Sequence, residues 1–138
     1  MLHALTTTYL LASVGVGLEV VFTGLANHRT AGDVRLTGHS YVWMFPIYGT
    51  AYPLYTLSWP VLHALPWAAR GVLYVVAFFL VEYASGWLLR HVVGRCPWED
   101  GYLRARWGIH GLVRIDYAPA WFAVSLLFER LYLALNPT

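Results

Sequence analysis

The sequence predicts an all-α polytopic membrane protein, a bundle of four transmembrane helices with a kinked second helix, folded as a single transmembrane domain over residues 1–138. Three observations predict it. Apolar residues make up 59% of the chain and charged residues only 12%, about half the roughly 25% charge of a soluble domain. Four apolar stretches each approach the ~20 residues that a helix needs to cross a bilayer. The chain is also too short to hide so much apolar surface inside itself, because a small soluble domain needs polar cover. Mean hydropathy is +0.53.

The first expected span runs from about residue 5 to 25. Nothing basic precedes it and Glu19 interrupts its apolar run, so it reads as a retained span and not a cleaved signal peptide. Gly15 and Glu19 are four residues apart, as are Ser13 and Gly17, and such pairs share one helical face. Small residues at that spacing let a second helix approach closely in lipid, so Glu19 should face a helical neighbour and not acyl chains. Residues 27–40 read as an exposed polar loop.

The second expected span, about 41–65, carries Pro46, Pro53 and Pro60 at seven-residue spacing, with Gly49 just after Tyr48. Seven residues is nearly two turns, so the prolines share a face, and an interior proline frees a carbonyl that must find another partner. A break at Pro46, Tyr48 and Gly49 is expected, either lining a cavity or kinking a packing helix. Tyr48, Tyr52 and Tyr55 could satisfy freed carbonyls. The third span, about 71–93, holds Glu82, Gly86 and Arg90 on one stripe. Glu82 and Arg90 lie about 12 Å apart along the axis, too far to pair. An intramembrane carboxylate is costly and marks a functional candidate. The fourth span, about 117–135, has Asp116 as expected N-cap, Pro119 in its first turn and Glu129 inside its apolar run.

Between spans three and four the chain is most charged. Arg95, Trp98, Asp100, Arg106 and Arg114 recur there among aromatic residues and glycines, so this long loop should be compact. All nine basic residues are Arg, which forms planar bidentate pairs with carboxylates and phosphates. Seven of them fall in or beside the 27–40 and 94–115 loops. The positive-inside rule then places both loops in the cytoplasm, and both termini outside, in a bacterial inner membrane. No basic run suggests nucleic acid. The six His residues show no metal-ligand spacing, so no metal and no cofactor is expected. Cys96 is the lone cysteine, expected as a packing residue.

Several short pieces together resemble one family. They are Gly17-Leu18-Glu19-Val20, Pro46-Ile47-Tyr48-Gly49, Glu82-Tyr83-x-x-Gly86-Trp87-Leu88-Leu89 and Gly94-Arg95-x-x-Trp98-x-Asp100. In this order they are similar to the small integral membrane family of type IV ABC-transporter permeases, which includes the transmembrane protein 229 group. The chain departs from that pattern at Arg90, where the family commonly has a carboxylate. It departs again at Glu99-Asp100-Gly101, where the family tends to Asp-Tyr-Ser, and at Gly111–Ile115, where the family has Asn-Gly-Arg-Ile. The resemblance implies a role in transport, yet these residues include no phosphate-cradling P-loop with its Lys.

Three functions follow from these residues. One is a structural or accessory subunit of a membrane complex or homo-oligomer, surrounded by membrane lipids, with Glu19, Glu82 and Glu129 pairing with Arg90, Arg106 or Arg114. Another is a permease- or channel-like protein using the broken helix and the buried carboxylates. The last is an enzyme acting on a lipid, with Glu82, His110 and Asp116 as acid/base groups and Arg95, Arg106 and Arg114 gripping phosphate. The sequence offers no nucleophile motif for the third. Water or lipid reaching Glu82 past the Pro46–Gly49 break would favour the second or the third, and an arginine of the 94–115 loop on Glu82 with no cavity the first.

Overall fold

A computed structural model describes residues 1–137. The chain is mostly helical: α1 (Leu2–Ala31), α2 (Met44–Gly49), α3 (Ala51–Leu62), α4 (Trp67–Val92), α5 (Glu99–Leu103) and α6 (Ala118–Leu135). A two-residue antiparallel ladder joins β1 (Gly108–Ile109) to β2 (Val113–Arg114), a small β element in a chain read from sequence as wholly α. Gly111, at φ +70°, sits in the tight turn between its strands, where a left-handed residue is needed.

Three helices are long and apolar enough to cross a membrane: Leu2–Ala31, Trp67–Val92 and Ile115–Leu135, the last including a 3-10 turn before α6. Only 22%, 28% and 22% of their most apolar windows are buried within the chain. Leu5, Val21, Val76, Leu80 and Leu88 all point outward. An apolar exterior of this extent needs an apolar solvent.

α1 is longer than the expected first span. Residues 27–31, read as loop, complete the helix, which ends where Gly32 adopts the left-handed conformation and donates its N–H to the His28 carbonyl. That is a normal glycine stop, with His28 and Arg29 in the last turn, where the helix dipole favours cations. Ser13 and Gly17 face outward, so within this chain they pack no second helix. Gly15 on the adjacent face does: the Tyr48 ring lies directly on it, in the space a Cβ would fill.

The segment expected as the second span is divided into α2 and α3. Pro46 and Pro53 each occupy the third position of their helix, within the first turn, where a missing N–H breaks no intrahelical bond. The division falls at Thr50, whose backbone stays helical (φ −63°, ψ −14°). The residue after the break that would donate to the Gly49 carbonyl is Pro53, which has no N–H. The Tyr55 hydroxyl donates to the Ser125 carbonyl at 2.6 Å, so it tethers α3 to α6 and does not answer a carbonyl freed by proline.

α1 packs on α2 and α3, and α4 packs on α6, which closes the bundle against α1 and α3. The centre is aromatic. Tyr55 meets Tyr74 edge-on at 4.8 Å and Phe78 stacks on Trp121 at 5.1 Å, while Tyr55, Tyr74 and Phe128 are almost fully enclosed. Such ring pairs add to simple burial, and they fix helix positions where lipid provides no hydrophobic drive for association.

One end of the bundle is clamped by charge. Arg70 grips Glu129 with two parallel bonds, Nε to Oε2 at 2.7 Å and Nη2 to Oε1 at 2.8 Å. Its third nitrogen donates to the Leu65 carbonyl, and the guanidinium lies 5.5 Å from the Trp59 ring. Side-chain exposure is 12% for Arg70 and 2% for Glu129. The sequence reading paired Glu129, with the other carboxylates, to Arg90, Arg106 or Arg114. The structure corrects this, because Arg70 begins α4 beside the late turns of α6 in an antiparallel pair. Removing one partner strands a buried charge, whereas replacing both with apolar residues does not. Glu129→Ala is expected to cost about 3 kcal/mol, and Arg70→Met with Glu129→Leu should recover most of that. Thermal unfolding in detergent, followed by near-ultraviolet circular dichroism, checks both.

Candidate functional site

The two remaining intramembrane carboxylates face one cavity. Its volume is about 410 Å³, and it lies between α1, α2, α4, the start of α6 and the loops after α1 and α4. Glu19 reaches it from α1 and Glu82 from α4. Most of the wall is aromatic, from Tyr41, Tyr48, Trp98, Tyr102, Tyr117 and Trp121. That volume is within the usual range for small-molecule sites, about 300–1,000 Å³.

Glu19, expected to face a helical neighbour, lies beside Tyr48 of α2 and also meets a loop residue. Its Oε2 accepts from the Ser40 hydroxyl at 3.0 Å. Ser40 is presented there because the loop after α1 lies back along that helix. Thr23 Oγ1 both donates to the His39 carbonyl and accepts from the His39 N–H, while Asn27 donates to the Thr37 carbonyl. Asp33 fastens the near end of this loop by accepting the N–H groups of Arg35 and Thr37, each at 3.0 Å. Bonds from Thr37 and Arg35 hold its carboxyl below the ordinary range.

Glu82 is 3% exposed. Its Oε1 accepts from the Tyr102 hydroxyl at 2.8 Å, and its Oε2 has no hydrogen-bond partner. Pairing with an arginine of the following loop is not what the structure has. Arg90 instead lies 2.7 Å from Glu99 and donates to the His110 carbonyl at 2.6 Å. Arg114 is held by Asp116 through Nε and Nη2, and donates to the Tyr117 hydroxyl through Nη1. Arg95 pairs with Asp100 at 2.6 Å in the open, and Arg106 rests beside the Trp107 ring on the exterior. Tyr102 can reach Glu82 because it projects from α5. Burial first, and the Glu82 charge second, raise the Tyr102 hydroxyl far above its usual range and hold it as a donor.

The loop after α4 is as compact as its composition suggested. Trp98 Nε1 donates to the Leu112 carbonyl at 3.0 Å, tying α5 to the β turn. Both residues, with Cys96, pack on Gly86, where a Cβ would come within 2.9 Å of Leu112. The Gly86 position one turn beyond Glu82 therefore seats the loop that covers Glu82.

Other expected roles are not met. Asp116 does not cap α6, whose N-cap is Tyr117, because Arg114 occupies the carboxylate. The three acid/base candidates are committed separately: Glu82 to Tyr102, His110 to the Tyr83 hydroxyl at 2.9 Å, and Asp116 to Arg114. Arg95, Arg106 and Arg114 likewise have three different surroundings and form no common anion grip. Among the described residues no group of three or more His, Cys, Asp or Glu could hold a metal. Pro46, Tyr48 and Gly49 do meet the site region. Tyr48 lines the cavity beside Glu19, and Gly49 packs on Thr8 and Ala12 of α1. Sequence reasoning missed Ser40, Tyr102 and Tyr117. Tyr102 carries the only available signal, a tyrosine in a charged stretch that follows an intramembrane glutamate.

Over residues 7–136 the chain matches the model of the family described as Putative ABC-transporter type IV. No solved structure matches it.

Cys96 is fully enclosed, and burial pushes its thiol up to about 11. The thiolate is the reactive form. N-ethylmaleimide at pH 7.5 should therefore leave the folded protein unlabelled and modify Cys96 fully in dodecyl sulfate. Mass spectrometry reads the difference.

Proposed function

The chain belongs to the putative type IV ABC-transporter family, and from that membership we propose that it is a permease-like membrane component that receives a small solute in the cavity between Glu19 and Glu82. One observation carries this reading. A buried carboxylate with an unpartnered oxygen stands in the wall of a cavity large enough for a solute. A purely structural carboxylate is satisfied on both oxygens, as Glu129 is by Arg70. An unsatisfied one is costly unless something else completes it.

In this reading α2 and α3 together make the fourth crossing. Met44 to Leu62 spans about 28 Å at about 1.5 Å per residue, close to the ~30 Å hydrocarbon core. The arginine-rich loops face the cytoplasm of a bacterial inner membrane and both termini face out. His39, Tyr41, Trp98 and Arg114, which come from those loops, line the cavity, so the solute enters or leaves on the cytoplasmic side. These 138 residues hold no Lys and thus no P-loop, so energy for uphill movement comes from outside them, or a homo-oligomer moves solute downhill. The Arg70–Glu129 clamp closes the opposite end.

Val124 lines the cavity, whereas Leu80 is 65% exposed on the lipid side. In a Cys96→Ala background, Val124→Cys should react at least about tenfold faster than Leu80→Cys with a membrane-impermeant thiol reagent, a contrast set by water access to the thiolate. The reaction should occur in inverted vesicles and not in right-side-out ones. Equal rates for the two positions would mean a dry bundle and a structural subunit.

A further inference from the structure

Arginine is in surplus between α4 and α6. The acids of that stretch are Glu99, Asp100 and Asp116, and each is taken by one arginine: Arg90, Arg95 and Arg114 respectively. Arg104 and Arg106 are left over. Both are exposed and have no acid partner among the described residues. Arg106 lies 5.5 Å from the Trp107 ring, which steadies a guanidinium without using its N–H donors. Their neighbours in the chain, Leu103, Trp107 and Ile109, are large, apolar and exposed.

The level of this segment in the bilayer gives it a partner. α4 has 26 residues and is about 39 Å long, more than the ~30 Å hydrocarbon core, so its last turn reaches the headgroups. The loop does not project beyond that end. It folds back along the helix, where Tyr102 donates to Glu82 and His110 meets the Tyr83 hydroxyl. Tyr83 is about 14 Å before Val92 at about 1.5 Å per residue. Residues 103–109 lie in the chain between these two anchored positions. They are thus held at the level of the headgroups and upper acyl chains, where α4 exposes Trp87 and Leu88. Acyl chains suit Leu103, Trp107 and Ile109, and tryptophan favours this boundary. The two guanidinium groups still lack an anion there, and arginine pairs well with phosphate.

We infer that residues 103–109 form a binding surface for anionic phospholipid. Arg104 and Arg106 pair with headgroup phosphate, and Leu103, Trp107 and Ile109 lie among the upper acyl carbons. A zwitterionic lipid carries its own cation beside its phosphate and offers no net charge to the two arginines, so it competes poorly. None of these five residues lines the cavity, so the surface does not depend on a solute being received there.

The test uses purified full-length protein in micelles of a nonionic detergent, doped with one dioleoyl lipid at a time. Phosphatidylglycerol should raise Tm saturably by several degrees. Phosphatidylcholine should need at least about tenfold more lipid for the same shift. The phosphatidylglycerol shift should shrink by more than about half between about 0.05 M and about 0.5 M NaCl, because exposed charges are screened. Arg104→Gln with Arg106→Gln should need at least about tenfold more phosphatidylglycerol, the worth of two arginines at an anionic surface. Arg29→Gln with Arg35→Gln removes the same charge from the end of α1 and the loop after it, and should keep the wild-type response. Phosphatidylglycerol brominated on its upper acyl carbons should quench the tryptophan fluorescence of the wild type more than that of Trp107→Phe. Equal shifts with the two lipids, a response matched by inorganic phosphate, equal losses in the two arginine pairs, or quenching unchanged by Trp107→Phe would each overturn the inference. If Arg104→Gln with Arg106→Gln does not accumulate, the two-lipid comparison, its salt dependence and the quenching decide without it.

Discussion

A carboxylate among apolar helices is costly, and the arrangement of this chain is governed by which protein groups bond to three of them. Glu129 receives a bidentate arginine. Glu19 receives a serine hydroxyl from a loop pinned along its own helix. Glu82 receives one tyrosine hydroxyl on one oxygen and nothing on the other. Water is absent from the hydrocarbon region to make up any shortfall, so each solution fixes the elements that supply it. The Glu129 solution fastens α4 to α6, the Glu19 solution lays the first loop on α1, and the Glu82 solution folds the second loop over α4.

The bundle is consequently asymmetric from end to end. Around Arg70 it is closed, with ion pair, ring and backbone carbonyl all meeting one guanidinium. Around Glu82 it is hollow, with Tyr48, Trp98 and Trp121 among the residues that line the cavity. Tyr48 lies on Gly15, and Gly49 packs on Thr8 and Ala12, so α2 lies close against α1 while Tyr48 lines the cavity.

Much of this architecture was legible in the sequence. Hydropathy reveals the long helices, and an apolar exterior follows from composition. The four-residue spacing of Gly15 and Glu19 turns that face inward, whereas the proline spacing points to a kink at a place where the backbone at Thr50 stays helical. Ion pairing was the least legible part. Glu129 and Arg70 are 59 residues apart, and nothing in either neighbourhood distinguishes this match from Arg90 or Arg114. Local competition explains the rest: Asp116 is two residues from Arg114 and Glu99 is near Arg90 once the loop folds, so acids inside the loop take its arginines before the helices can. Tyr102 as the partner of Glu82 depends on a short helix, α5, and on the seat at Gly86, neither of which has a periodic signal.

The order in which the helices are synthesised gives the Arg70–Glu129 clamp a further consequence. α6 follows the other helices in the chain, and it brings Glu129 to Arg70 and the Ser125 carbonyl to the Tyr55 hydroxyl. Until it docks, an arginine and a tyrosine hydroxyl on helices already delivered to the bilayer are without these partners. Intermediates are therefore marked by polar groups that α6 conceals. Quality control that recognises unpaired polar groups in lipid would spare only chains in which α6 has docked, which makes that docking the step that commits the bundle.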